Sequence, residues 1–233
     1  MFYYLLLGHL LGDFTFQTGK IAENKLKDWK WNLLHVSIIT ICILFLLFPW
    51  NFYMIGIVLL NGILHFFIDS FKSKISIKSS LGSLLYFIFD QVVHIMILYW
   101  LSTIIVKISP PLLIDVQIIK FLIILVFVSS FSAILIQFIL KAIFPANQKK
   151  FFNGNEKSVG ELTRVLSFFI FYLSFSFSKY SLIGLLAMII GLIIYYNTSW
   201  RKWMSLNYFI AKLSMDVLIS IIGFLCLLTI IRF

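Results

Sequence analysis

Charge is what this sequence has least of. Asp, Glu, Lys and Arg make up 12% of 233 residues, and only nine side chains are acidic, whereas a soluble domain carries roughly 25% charged residues. That shortage excludes a water-facing globular surface. Cysteine is nearly absent: Cys42 and Cys226 each sit inside an apolar run without metal-type spacing, which excludes a disulfide framework and a thiolate metal site and leaves both as packing residues. There is no glycine-rich phosphate loop and no serine nucleophile elbow, so nucleotide-driven transport by this chain alone is excluded. No linker or 20–50-residue repeat divides the chain into separate folding units. The N-terminus, Met-Phe-Tyr-Tyr-Leu-Leu-Leu, lacks a basic region, and its first apolar run holds His9 and Asp13, so it is expected to be retained rather than cleaved.

What is there is hydrophobic. Apolar residues reach 61% with a mean hydropathy of +1.03, spread along the whole chain. A spanning helix needs about 20 mostly apolar residues, and that rule predicts an all-α, polytopic transmembrane bundle with helices near 2–18, 30–48, 52–71, 80–106, 112–143, 159–176, 180–197 and 207–231. The segment 112–143 exceeds a perpendicular span and is expected to tilt or project. Glu161 and Arg164 open the segment 159–176. Pro49, Pro110, Pro111 and Pro145 fall at proposed ends, where helix breakers belong. The whole, 1–233, reads as one membrane domain, with a four-helix half (1–106) and a scaffold half (107–233).

The net charge of +10 comes from short basic clusters between apolar runs, a topology signal rather than a nucleic-acid surface. Lys20, Lys25, Lys27 and Lys30 follow the first helix, Lys72, Lys74 and Lys78 the third, Lys141, Lys149, Lys150 and Lys157 the fifth, and Arg201 and Lys202 the seventh. The intervening connections hold Lys107 and Lys179. Basic loops at every second connection place them in the cytoplasm and both termini outside, as expected for a multi-pass protein of a bacterial cytoplasmic (inner) membrane. Trp29, Trp31, Trp50, Trp100, Trp200 and Trp203 lie near proposed ends, as interfacial anchors do.

Against this apolar background, the polar residues are patterned. The first helix reads His9-Leu-Leu-Gly-Asp13-Phe-Thr-Phe-Gln17, placing His9, Asp13 and Gln17 on one face at i,i+4 spacing. The third repeats it as Asn61-Gly-Ile-Leu-His65-Phe-Phe-Ile-Asp69, and the fourth reverses it as Asp90-Gln91-Val-Val-His94; the second adds Asn32 and His35. An Asp at the bilayer centre costs about 2.5–3.5 kcal/mol on insertion scales, so such groups turn toward the bundle interior or water. At 1.5 Å per residue, Asp13, His35, His65 and Asp69 should lie about 5–10 Å from their cytoplasmic helix ends, with His9 and Asp90 near 15 Å and His94 deepest. Imidazole and carboxylate groups so placed suit zinc first, then manganese or iron. His9, Asp13, His65, Asp69, Asp90 and His94 are the expected metal ligands. Asp13, Asp90 and His35 are the expected catalytic groups, with His35 a ligand or proton carrier.

Hydrogen bonding across helices, at about 1 kcal/mol each, would account for one such pair; three pairs of matching spacing favour metal or proton chemistry. Lys212 and Asp216, at i,i+4 on the last helix, are expected to form a structural ion pair, and Glu161 with Arg164 likewise. The loop 149–157 is polar enough to meet anionic lipid heads, but topology alone accounts for it. Gly12 and Gly62 are expected to permit close helix approach.

At these residues the sequence resembles the bacterial integral-membrane family catalogued as domain of unknown function 3307. The likeness rests on His9-Leu-Leu-Gly-Asp13-Phe with Gln17 and Lys20, His35, His65-Phe-Phe-Ile-Asp69 with Lys72, and Asp90-Gln91-Val-Val-His94. It looks nearly full length, since Gly160-Glu161-Leu162-Thr163-Arg164 is similar to a Gly-x-Leu-Glu-Arg-like stretch, with Thr163 in place of the acidic residue. More distantly, the His-x-x-x-Asp helices look like those of membrane-bound metal-dependent hydrolases. Three functions follow as expectations: a metal-dependent hydrolase acting on a lipid-linked phosphate or acyl ester, a proton- or divalent-cation-coupled transporter or channel, and an accessory subunit held together by its polar network.

Overall fold

The computed structural model describes residues 1–233 apart from 73, 76–78, 109–111, 145–153, 177, 202–203 and 232–233; of 154–158, 174–176, 178–182, 185, 199–200 and 231 it describes the backbone alone. Pro110, Pro111, Pro145, Lys78, Lys149, Lys150, Lys202 and Trp203 therefore lie outside the described residues, as do the side chains of Lys157, Lys179 and Trp200. Among the described residues all regular structure is helical, and a helix occupies each of the expected positions. Two compact units meet in sequence at Val126 and Phe127.

The first unit begins with α1 (Phe2–Leu10), which runs into a π-helical segment (Leu11–Thr15). The short α2 (Gly19–Asn24) follows, then α3 (Trp29–Leu46), α4 (Phe52–Lys72), α5 (Ser80–Ile105) and α6 (Val116–Val126). Their starts are written in the sequence as caps. The Thr18 hydroxyl accepts from the Ile21 amide, Asp28 Oδ1 from the Lys30 amide, Asn51 Oδ1 from the Met54 amide, and the Ser79 hydroxyl from the Gly82 amide. Each satisfies a donor that a helix start leaves open, worth about 1 kcal/mol. Pro49 falls between α3 and α4, where a missing amide does no harm.

Along the chain, apolar and polar halves alternate in order. Leu5 and Leu7 precede His9 and Asp13; Ile39 and Ile43 follow His35; Met54 and Val58 precede His65 and Asp69; Leu98, Leu101 and Ile105 follow Asp90 and His94. Successive spanning helices reverse direction, so this alternation gathers the apolar residues into a core at one end and the polar residues at the other. Outward faces carry rings such as Phe45, Phe52, Phe67 and Phe71, each at least 64% exposed, which suits acyl chains rather than water.

The second unit comprises a π-helical segment (Phe127–Phe131), α7 (Ser132–Ile143), α8 (Gly154–Ser176), α9 (Ser178–Tyr195) with a π-helical end (Tyr196–Trp200), and α10 (Leu206–Ile231). A π turn leaves carbonyls without their usual i+4 donors. Arg164 of α8 supplies two, donating from Nε to the Val128 carbonyl at 2.7 Å and from Nη2 to the Ser129 carbonyl at 2.8 Å. Its Nη1 pairs with Asp216 Oδ1 at 2.6 Å, and Lys212 Nζ holds Asp216 Oδ2 at 2.8 Å. The expected Lys212–Asp216 pair is present, and Arg164, expected to pair with Glu161, joins it. Gly160 makes room: a Cβ there would lie 2.7 Å from Lys212 Nζ.

Among the described residues, five helical stretches are long and apolar enough to cross a membrane: α3, α4, α5, the continuous helix Val116–Ile143, and α10. The chain is a multi-pass membrane protein.

Candidate metal centre

The site is assembled where α1, α3, α4 and α5 of the first unit present their polar ends. Close approach comes first. A Cβ on Gly8 would lie 2.6 Å from Ile43 Cγ1, and one on Gly12 would lie 2.5 Å from Ile39 Cγ1 and 2.7 Å from its Cα. Gly12 was expected to act this way; Gly8, one turn earlier, does the same. With α1 pressed onto α3, His35 meets Asp13, with Nε2 and Oδ1 3.2 Å apart. Gly62 lets α4 approach α3 less tightly, with Thr40 Oγ1 at 2.9 Å from the position of a Cβ. Asn32 then ties α3 to α4 by donating to the Phe66 carbonyl and Ser70 Oγ, each at 3.1 Å.

Around His65 the donors converge. Its Nε2 lies 3.3 Å from His35 Nε2 and 3.5 Å from Asp69 Oδ2, and His35 Nε2 is itself 3.5 Å from Asp69 Oδ2. One ligand atom each from Asp13, His35 and His65 falls within 4.8 Å of the others, and so does one each from His65, Asp69 and His94. All five residues are buried. The His65 and His94 rings lie 4.1 Å apart between centroids, and His9 stacks on His94 at 5.3 Å. Asp90 stands at the edge, with Oδ2 2.6 Å from Lys72 Nζ and Oδ1 3.8 Å from His94 Nδ1. Gln91 bridges, donating from Nε2 to both Asp13 Oδ2 and Asp90 Oδ2 at 3.3 Å.

Every expected ligand and catalytic residue, His9, Asp13, His35, His65, Asp69, Asp90 and His94, is therefore part of one cluster. His94, expected to lie deepest, has its ring beside that of His65: α5, at 26 residues, is five longer than α4, and Asp90 pairs with Lys72 of the last turn of α4. Gln17 also departs from expectation. The π-helical segment ends at Thr15 and breaks the i,i+4 face, so Gln17 turns back and donates to the Asp13 carbonyl at 3.0 Å, an acceptor left open by the helix end.

Two lysines complete the cluster. Lys72 belongs to the expected motif; Lys25 was expected only as a topology signal. Its ammonium lies 2.9 Å from His35 Nε2, 3.0 Å from Asp69 Oδ2 and 3.6 Å from Asp13 Oδ1. α2 turns it inward, and the Thr18 cap that starts this helix was the available signal. Counting Asp13, Asp69 and Asp90 against Lys25 and Lys72, with neutral imidazoles, leaves one net negative charge.

The donor set fits a metal ion. Asp13 Oδ1 and Asp69 Oδ2 offer lone pairs, as do the Nε2 atoms of His35 and His65 in the tautomer protonated at Nδ1, and one cation, the Lys25 ammonium, already stands among them. A carbonyl can only accept, so His94 Nδ1 donates to the Asp90 carbonyl at 2.8 Å, and its Nε2, buried without a partner, offers a lone pair. A second bond that fixes the tautomer is the usual mark of a ligating histidine. His9 Nε2 is likewise buried without a hydrogen-bond partner, 4.0 Å from Asp13 Oδ2.

Residues 1–123 match the family described as Protein of unknown function (DUF3307). The chain belongs to this family. The DUF3307 match covers every residue of the cluster and ends before Gly160–Arg164, so the likeness read there lies outside it. No curated protein and no solved structure matches the chain.

Proposed function

We propose that the cluster is a metal centre, serving a metal-dependent hydrolase that acts on a lipid or lipid-linked substrate in a bacterial inner membrane. The observation that carries the reading is His94. Its Nδ1–H is fixed on the Asp90 carbonyl and its buried Nε2 faces no donor, in the midst of carboxylates and imidazoles. His9, Asp13, His65, Asp69, Asp90 and His94 supply the ligands, zinc being the ion such N/O donors suit first, with manganese or iron next. A bound ion supplies Lewis acidity toward water and a phosphoryl or acyl oxygen. Asp13, Asp90 and His35 are the groups positioned to accept or return a proton. The basic connections favour a cytoplasmic position for this end of the bundle. Membrane lipids are the partners, and nucleic acid is not.

Metal analysis of purified protein tests the reading. Stoichiometric metal in the wild type, lost in His65→Ala and Asp69→Ala, is the expected result; a metal-free wild type would sink it.

A second reading, a proton- or divalent-cation-coupled transporter or channel, draws on the chain of rings from His35 through His65 and His94 to His9, with successive centroids 5.3, 4.1 and 5.3 Å apart. Such a file suits proton transfer. It requires ion flux in proteoliposomes that Asp90→Asn abolishes; lipid turnover without flux decides for the hydrolase.

A further inference from the structure

A groove of about 440 Å³ opens between α4 and α5 on the outer face of the first unit. Phe67, Phe71, Phe89 and Val93 line it, together with Lys72 and Asp90. The three phenylalanines are 64%, 69% and 63% exposed. Because α4 and α5 are membrane-spanning by length and composition, what meets these rings is acyl chain. The groove also reaches the interior, since Asp90 is a member of the buried cluster.

The lining calls for two chemistries. The Lys72 side chain keeps 22% of its surface and that of its ion-pair partner Asp90 6%, so of this pair it is the lysine that the groove reaches more. An apolar trough that holds a lysine fits an amphiphile with an anionic head. Lys74 is exposed just beyond the end of α4. One lysine in the trough is matched by a headgroup of a single net negative charge.

We propose that this groove seats one phospholipid of net charge −1, its chain along Phe67, Phe71, Phe89 and Val93 and its phosphodiester at Lys72, and that it is the lateral entrance for substrate. The entrance role rests on reading the cluster as a metal centre; the lipid seat does not. Seating there brings the phosphodiester to Asp90, one of the groups positioned for proton transfer.

Native mass spectrometry of the full chain in micelles with equal phosphatidylglycerol and phosphatidylcholine of identical chains tests the seat. The wild type should retain one phosphatidylglycerol with about fivefold preference, the attraction of a single lysine for an anionic lipid. Lys72→Gln should bring the ratio near one. Val93→Trp, which fills the trough, should remove the retained lipid; the milder Phe89→Ala should weaken its retention and covers the case in which the tryptophan variant does not fold. Equal retention of both lipids by the wild type overturns the proposal, as does undiminished retention in the folded groove variants or undiminished preference in Lys72→Gln. Metal-free protein that still selects phosphatidylglycerol would end the metal reading and leave the seat. Metal-bearing protein indifferent to headgroup would do the reverse.

Discussion

In the second unit, Arg164 and Lys212 enclose Asp216, and the guanidinium also donates from Nε and Nη2 to the carbonyls of Val128 and Ser129. Ser220 Oγ adds bonds to the carbonyls of Arg164 and Asp216 at 2.9 and 2.8 Å. The first unit buries its ionisable groups quite differently. There carboxylates and imidazoles crowd one another, the Nε2 atoms of His9 and His94 have no hydrogen-bond partner, and the cations that enter arrive on long lysine side chains. A network in which both cations face one carboxylate and the guanidinium also meets carbonyls holds helices together. A network rich in unsatisfied acceptors costs stability unless a cation or proton completes it, which is why chemistry is assigned to the first unit and cohesion to the second.

The sharpest way to break that contrast is to exchange the consequences. Asp216→Asn takes from Arg164 and Lys212 the carboxylate they share, and breaking a buried pair on one side costs about 3–5 kcal/mol. Thermal unfolding in detergent should show that loss, with the metal content of the remaining folded protein unchanged. His65→Ala should behave in the opposite sense. His65 belongs to both ligand groups, so metal retention should fall by more than the roughly 10–100-fold that an outer partner costs, while the melting temperature of the metal-free protein changes little. If Asp216→Asn empties the metal site, or His65→Ala unfolds the protein without touching bound metal, the division between the units fails.

A smaller effect tests how the first unit positions its donors. Gly12→Ala would drive a methyl group to within 2.7 Å of the Ile39 Cα, and backbone cannot swing aside as a side-chain tip can. The expected cost is about 1–3 kcal/mol of overpacking, together with weaker metal retention, because Asp13 and His35 sit on the two helices forced apart. Gly19→Ala is the control, since no atom lies within 4 Å of its Cβ position. Equal behaviour of the two variants in unfolding would show that close packing of α1 on α3 does not set the site.

Most of this was legible in the sequence because the membrane simplifies the code. Apolar length fixes the helices, and the i,i+4 recurrence of His9 with Asp13, His65 with Asp69 and Asp90 with His94 survives folding because a helix carries its own face with it. Legibility ended where the helix became irregular or the chain turned back. The π-helical segment at Leu11–Thr15 took Gln17 off the predicted face. Lys25 stood among four lysines that the positive-inside rule explains equally well, and only the inward turn of α2 separates it from Lys20, Lys27 and Lys30, all of them exposed. Arg164 was read with a neighbour on its own helix, whereas its partners come from α10 and the π-helical segment at Phe127–Phe131, contacts with no sequence period to announce them.

Lys25 also gives the finest test of what separates the units. Its ammonium lies among the oxygens and nitrogens that would hold an ion, so a metal would be held by the same carboxylates as the lysine and the two would oppose each other. Two like charges at 4 Å interact by about 4 kcal/mol at an effective dielectric near 20, and a mobile lysine that swings away relieves most of that. Lys25→Met should therefore tighten metal binding by about tenfold, about 1.4 kcal/mol, in a chelator competition titration, with Lys25→Arg close to the wild type because its charge is kept. If Lys25→Met instead weakens binding, the ammonium organises the donors rather than competing for them. The first unit would then be closed by its own lysines, as the second is by Arg164 and Lys212, and the contrast between the two would lose its physical basis.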